Sequence, residues 1–378
     1  MRRAVRARQG DLMTAAVTED RDTDAVPGFH RLRVADVERL CDDAVAVRFD
    51  VPDHLGDDYA FRAGQYLTLR LTGADGEERR SYSICAPEGA APRIGVRRVD
   101  AGLFSTWLVD RLAAGDEIEV GPPQGRFTPE VAAGEHHVLV AAGSGITPVL
   151  SIAATVLATH RDTHVTLLYG NRRSDTVMFG EDLADLKDRY GPRLQLVHVL
   201  SREPTAADLF NGRLDADRLR TLIGALVPVG EVAHWWLCGP LGMVEAATEV
   251  IRAFDVPRER LHRELFYVDE PPPEVHRAED DVVDDAGGAT VTVVLNGRES
   301  VLTLPRTEPV LDAAQRARSD LPFACKGGVC GTCRAQVTVG EVRMRRNFAL
   351  EPEEVEAGFV LTCQALPVSD DVTVDYDV

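Results

Sequence analysis

Four cysteines near the C-terminus, Cys325, Cys330, Cys333 and Cys363, read C-x4-C-x2-C, then a gap of 29 residues, then a last C. That spacing suits a [2Fe–2S] cluster, in which four thiolates hold two irons, two to each. Three thiolates can come from one tight loop, and the fourth must arrive from elsewhere in the chain. The intervening Lys326-Gly327-Gly328-Val329 and Gly331-Thr332 let backbone amides turn inward and donate to sulfur, which stabilises a negative cluster. A structural zinc site is the main competitor, but it usually shows two C-x2-C pairs. The remaining cysteines, Cys41, Cys85 and Cys238, are scattered. This argues against a disulfide framework and for a reducing cytoplasm.

Two further motifs suit nucleotides. Val138 to Pro148 reads as a strand running into Gly143-Ser144-Gly145-Ile146-Thr147-Pro148 and then a helix. Glycines there allow close backbone approach to a pyrophosphate, and the helix start offers free amides. Pro148 suits a first helical turn, but it stands where the third glycine of G-x-G-x-x-G would be, so the turn alone is weak. Arg80-Ser81-Tyr82-Ser83 ends a strand. An aromatic ring between hydroxyls, beside a cation, can stack on a ring system and hold a phosphate; alone it reads equally well as a surface strand end.

The elements that must position these residues form three blocks. Residues 28–132 carry short alternating apolar runs such as Tyr66–Leu71 and Glu117–Val120, the pattern of an antiparallel β-barrel. Residues 133–268 alternate strands with helices: His137–Ala141, a helix from Pro148, Thr163–Tyr169, Glu181–Arg189, Leu194–Leu200, Trp235–Cys238 and Leu241–Phe254. That rhythm predicts an α/β domain with a parallel sheet covered on both faces. Residues 289–378 open with a hairpin turning at Asn296-Gly297, then a helix over Val310–Arg318, then the cysteine loop. Residues 269–288, with Pro271-Pro272-Pro273 and an acidic run, read as a linker, and residues 1–27 as a disordered tail. The 378-residue length fits several domains. A net charge of −19 disfavours nucleic acid and anionic membranes. No apolar run approaches the ~18 residues needed to span a bilayer, and no signal peptide is expected. The pair His136-His137, at a strand start, is expected to be exposed rather than metal-binding.

Taken together, R-x-Y-S at Arg80–Ser83, G-S-G-I-T-P at Gly143–Pro148 and Cys238-Gly239-Pro240 resemble the ferredoxin–NADP reductase superfamily over residues 28 to about 268. The cysteine block behind them would add a plant-type ferredoxin domain of α+β, β-grasp form. The resemblance implies FAD held by Arg80, Tyr82 and Ser83, with Ser83 near flavin N5. It implies flavin phosphates near Arg97 and the segment from Gly102 to Thr106, where Ser105 and Thr106 offer donors ahead of a helix over Trp107–Leu112. Nicotinamide nucleotide would face Gly143, Gly145, Thr147 and Pro148. Cys238 and Gly239 would sit beside nicotinamide C4, with Glu264 and Phe266 closing over the flavin. Ser201 and Arg202 match the phosphate-binding pair of NADP-type members and Arg172 adds charge, so NADPH is expected over NADH, although Glu203 would suit a ribose. The assembled parts would convert hydride transfer into single-electron transfer.

A closer resemblance lies in Val149–Ile152, Tyr169–Arg172, His198–Glu203, Leu209–Arg213 and Asn347–Leu350. These segments are similar to the reductase subunits of phenylacetyl-CoA epoxidase complexes. The resemblance implies di-iron oxygenase subunits as partners, with the CoA thioester never touching this chain. A reductase of a Rieske-type oxygenase, such as a 3-ketosteroid hydroxylase, and a free-standing electron carrier or redox sensor stay open as alternatives. Residues 271–378 are net acidic, suiting a basic partner; Arg343-Met344-Arg345-Arg346-Asn347 breaks that trend and reads equally as a contact or a solvated loop.

Overall fold

A computed structural model describes residues 28–73, 76–99, 102–267, 288–318 and 320–378. The expected tail, and the expected linker up to residue 287, lie outside the described residues. The first unit is a six-stranded antiparallel sheet, in the order β4-β3-β6-β1-β2-β5. Its strands are β1 (His30–Cys41), β2 (Ala44–Asp50), β3 (Tyr66–Gly73), β4 (Gly76–Ser83), β5 (Arg93–Arg97) and β6 (Glu117–Val120). An antiparallel bridge between Ile84 and Ile94 joins the two outer strands and closes the barrel. Closure buries alternate residues of each strand: Leu67, Leu69, Ile94 and Val96 are wholly inside. Helix α1 spans Leu103–Asp110, beginning one turn earlier than expected. Gly102 takes the cap position, and the Ser105 hydroxyl accepts from Val99 N and reaches Gly102 O. Ser105 and Thr106 therefore lie inside the first helical turn rather than ahead of it.

The second unit is a five-stranded, fully parallel sheet in the order β11-β10-β7-β8-β9. It comprises β7 (His136–Ala142), α2 (Ile146–Thr159), β8 (His164–Asn171), α3 (Gly180–Tyr190), β9 (Leu194–Leu200), α4 (Ala216–Leu226), β10 (Val232–Pro240), α5 (Leu241–Arg252) and β11 (Leu261–Tyr267). Helices α2 and α3 cover one face and α4 and α5 the other. Helix α4 is additional to the expected elements. Asp215 caps it by accepting from Arg218 N, and Leu219, Leu222 and Ile223 form its buried stripe. The chain runs outward from β7 to β9, then returns to β10 on the other side of β7. A crevice therefore opens at the carboxyl ends of β7 and β10, where open α/β sheets bind ligands. His137 corrects the expectation of exposure: it is fully buried, and its Nδ1 accepts from Trp236 Nε1 at 3.2 Å.

The third unit is a mixed five-stranded sheet in the order β13-β12-β18-β14-β16, with a small β15–β17 ladder beside it. Its elements are β12 (Ala289–Leu295), β13 (Arg298–Leu304), α6 (Val310–Ala314), β14 (Arg334–Val339), β15 (Val342–Met344), α7 (Pro352–Glu356), β16 (Phe359–Leu361), β17 (Ala365–Pro367) and β18 (Asp371–Asp375). Asn296 and Gly297 make the expected hairpin turn, both at positive φ. Helix α6 ends earlier than expected because the chain turns back. Arg318 is buried there, with its guanidinium on Asp320 and on Arg298 O. Among the described residues no helix is long and apolar enough to cross a membrane.

Candidate functional site

The carboxyl ends of β7 and β10 meet the open end of β4, and the chemistry-bearing residues gather there. Cys238 and Glu264 are paired across the β10–β11 ladder. Ser83, the last residue of β4, donates to Glu264 Oε2 at 3.4 Å. Glu264 is part-buried at the wall of this crevice, and desolvation there pushes its pKa up to about 8, against the opposing pull of the Ser83 bond. The Cys238 thiol, wholly buried, is pushed well up by burial and then by Glu264. Both shifts favour the protonated, neutral forms.

The glycine turn is built against this pair. A Cβ on Gly145 would stand 2.2 Å from Cys238 O, so only glycine lets the turn close onto β10. Gly143 has φ +56°, with Arg97 Nη1 at 3.4 Å from where its Cβ would be. Gly239, at φ +155°, lies against Ala142 and Met243. Thr147 is fully buried and donates to Ser144 O, and Pro148 is buried beside it. Thr147 and Pro148 thus shape the turn from behind, while the backbone at Gly143 and Ser144 stays partly open. No side chain caps the start of α2; a single 3-10 turn over Gly143–Gly145 leads into it, and the Ile146 amide donates back to Gly143 O and Ser144 O.

On the barrel, Tyr82 packs tilted against Phe104 at 6.1 Å between centroids, and Arg80 is half-exposed with Glu78 at 2.6 Å. Gly102 leaves a cradle: a Cβ there would stand 2.8 Å from Ser105 Oγ. Helix α1 has no side-chain cap, so these residues fit a flavin nucleotide with its phosphates at the α1 start. The Arg97 guanidinium reaches Thr176 O and the Asp43 carboxylate and borders Gly143 at the carboxyl end of β7. Phe266 packs on the core of the α/β unit.

Beyond β8 and β9 two loops run side by side. Ser201 N donates to Asn171 O, and Arg202 N to Arg172 O. Arg172 and Arg202 are both exposed there. Glu203 instead accepts from Ser174 N at 2.8 Å and from its hydroxyl, and these bonds hold its carboxyl below the usual range.

The four cluster cysteines come together as two pairs. Cys325 shares a thiol hydrogen bond with Cys330, and Cys333 with Cys363. Two sulfurs per iron is what a binuclear cluster requires. The Cys330 contact, followed by the amides of Gly327, Val329 and Cys330, lowers the Cys325 pKa. Gly328 and Gly331 take positive φ to fold this loop. The residues therefore fit a [2Fe–2S] cluster. Cys333 and Cys363 lie in the core of the third unit, and Cys325 is exposed.

Sequence reasoning missed the residues that seat this unit. Tyr66 OH lies 2.8 Å from Thr332 Oγ1. Arg79 donates to Leu321 O and stacks on Phe323. Arg258 and Arg263 reach Glu351, Arg258 also Glu353, and Arg126 Glu354. In sequence Tyr66 is one more barrel residue, and only its hydroxyl hints at a partner. A cavity of about 990 Å³ between the three units is bordered by Tyr66, Phe127, Leu241, Glu264, Cys330 and Leu350.

Three family models match in sequence order: the oxidoreductase FAD-binding domain over residues 31–128, the oxidoreductase NAD-binding domain over 139–249, and the 2Fe-2S iron-sulfur cluster binding domain over 293–368. One component of the 1,2-phenylacetyl-CoA epoxidase of Escherichia coli is 42% identical over 92% of this chain and 98% of its own. The chain belongs to the ferredoxin reductase family. This reductase is also 35% identical to the ferredoxin reductase component of 3-ketosteroid-9-alpha-monooxygenase from Rhodococcus rhodochrous, over 91% of this chain and 96% of that one. Among solved structures it shares the fold of phthalate dioxygenase reductase, with a TM-score of 0.59 and 24% identity, covering 92% of this chain and 98% of that one. It is an oxidoreductase that carries electrons through FAD-binding, NAD-binding and 2Fe–2S domains.

Proposed function

We propose that this reductase draws electrons from NADPH and delivers them to the di-iron oxygenase of a phenylacetyl-CoA epoxidase-type complex. Bound FAD would supply the chemistry that turns a hydride from the nicotinamide into single electrons for the cluster. Arg80, Tyr82, Ser83 and the Gly102–Thr106 segment would hold the flavin, and Phe266 would close over it. Gly143, Gly145, Thr147, Pro148 and Gly239 shape the nicotinamide crevice, with Arg97 at its barrel side. Desolvation disfavours negative charge on Cys238 and Glu264 in the crevice, and Ser83 would orient the Glu264 carboxyl. The residues align the rings and keep water away rather than perform acid–base chemistry.

Ser201, Arg202 and Arg172 converge on one loop edge, while Glu203 is already engaged by Ser174. That arrangement favours a 2′-phosphate over a free ribose diol and so NADPH over NADH. The partner reading rests on 42% identity spanning nearly all of the Escherichia coli relative. The likeness to the 3-ketosteroid monooxygenase component supports a Rieske-type oxygenase as the second reading. The half-exposed thiolate loop suits the reducing cytoplasm.

The test is anaerobic reduction of the loaded protein by NADPH, followed by mixing with separately purified oxygenases. Reoxidation by the di-iron component of a phenylacetyl-CoA epoxidase is expected. Reoxidation by a Rieske oxygenase alone would transfer the assignment to the second reading.

A further inference from the structure

We infer that Tyr66 is a positioning residue that locks the cluster loop to the flavin strand in one register. The inference rests on the electron-transfer reading above. Tyr66 opens β3 and is paired in the ladder with Ser83, the end of the R-x-Y-S strand. Its side chain crosses the boundary between units, and its hydroxyl lies 2.8 Å from Thr332 Oγ1. Thr332 Oγ1 in turn lies 3.2 Å from Cys330 Sγ. Three atoms in series thus join the barrel strand beside Ser83 to a cluster ligand.

Each part of this bridge is constrained. The Tyr66 ring is 7% exposed and rests on Gly125, where a Cβ would come within 3.1 Å of it. Thr332 sits between two ligating cysteines, so it cannot shift without moving the cluster. Toward a cluster thiolate only one orientation satisfies every group: Tyr66 donates to Thr332, and Thr332 donates to Cys330 Sγ. The surrounding ion pairs from Arg126, Arg258 and Arg263 are partly exposed. Exposed pairs are long-armed and weakly directional, so they hold the units together without setting a register. The Tyr66–Thr332 bond is part-buried and joins two short, closely held groups, so it is directional where the ion pairs are not. Hydrogen bonds to cluster sulfur also set its potential. Tyr66 therefore acts on both distance and potential without itself being oxidised or reduced.

The test compares Tyr66→Phe, Thr332→Val and Thr332→Ser in the full, cofactor-loaded chain. Three quantities are read: hydrogen exchange of the amides from Val329 to Cys333, the cluster potential by an electron paramagnetic resonance titration, and reduction of cytochrome c against ferricyanide. Tyr66→Phe is expected to speed exchange of the loop, lower the cluster potential, and slow cytochrome c reduction about tenfold or more with ferricyanide reduction unchanged. Thr332→Ser keeps the hydroxyl and restores all three readouts; Thr332→Val reproduces the defect and decides the matter if Tyr66→Phe does not fold. Wild-type exchange, potential and cytochrome c rate in both Tyr66→Phe and Thr332→Val would overturn the inference. A wild-type protein without flavin or cluster would instead overturn the reading on which it rests.

Discussion

Glu264 stands opposite Cys238 across the β10–β11 ladder and reaches over the domain boundary to Ser83 Oγ at 3.4 Å. One carboxyl thus links the nucleotide crevice to the flavin strand. Burial raises its pKa from 4.5 to about 8.

The sign of the resulting pH dependence follows. Between pH 4.5 and about 8 the folded chain holds a proton at Glu264 that the unfolded chain has released. Its stabilising contribution is full below 4.5 and is lost as pH rises through about 8. Urea unfolding across this range is expected to show stability falling toward alkaline pH, and Glu264→Gln to flatten that slope. Hydride transfer from NADPH, followed by stopped flow, should slow above about pH 8 in the wild type as the carboxylate ionises, and lose that inflection in Glu264→Gln. An unchanged slope would mean that Glu264 is ionised in the fold.

The Arg202 edge predicts coenzyme choice. Arg202→Ala is expected to raise KM for NADPH by about tenfold or more, the loss of a charge-assisted contact, and to leave KM for NADH nearly unchanged. Equal losses on both coenzymes would assign Arg202 a structural role.

The pairing of thiols predicts a separable defect. Cys333→Ser removes one member of the buried Cys333–Cys363 pair and should abolish cluster absorbance and cytochrome c reduction. Ferricyanide reduction, which needs only the flavin, should persist. Loss of both activities would point to a misfolded third unit.

The ion pairs on α7 predict salt sensitivity. At about 1 M salt the Debye length shrinks to ~3 Å, and cytochrome c reduction should fall relative to ferricyanide reduction. Arg258→Glu alone should do the same at low salt, and adding Glu353→Arg should restore most of the rate. No response to salt or to either variant would leave the docking to Tyr66 and Arg79.

Much of this site was legible because local chemistry dictated it. The cysteine spacing, the strand–glycine–helix turn and the Arg80–Ser83 strand end each carry a backbone requirement that the structure meets. Alternating apolar residues marked the barrel strands, and β-α alternation marked the parallel sheet. What escaped was set by tertiary contact. The neighbours of Arg97 in sequence say nothing of Gly143, and only folding puts the two side by side. His137 reads as polar, and its burial depends on the Trp236 indole that satisfies its ring. Helix α1 begins at Leu103 because Ser105 turns back on Val99, a contact that propensity does not report.

Gly95 lies where β5 meets α2, and a Cβ there would come within 2.4 Å of Thr147 Cγ2 and 2.7 Å of Phe179. The seam between barrel and nucleotide sheet therefore has room for a hydrogen and not for a methyl group. The approach of α2 and Phe179 to the barrel is therefore set by a residue with no side chain. A single added carbon at that point would act as a wedge, and its effect would surface far from where it was inserted.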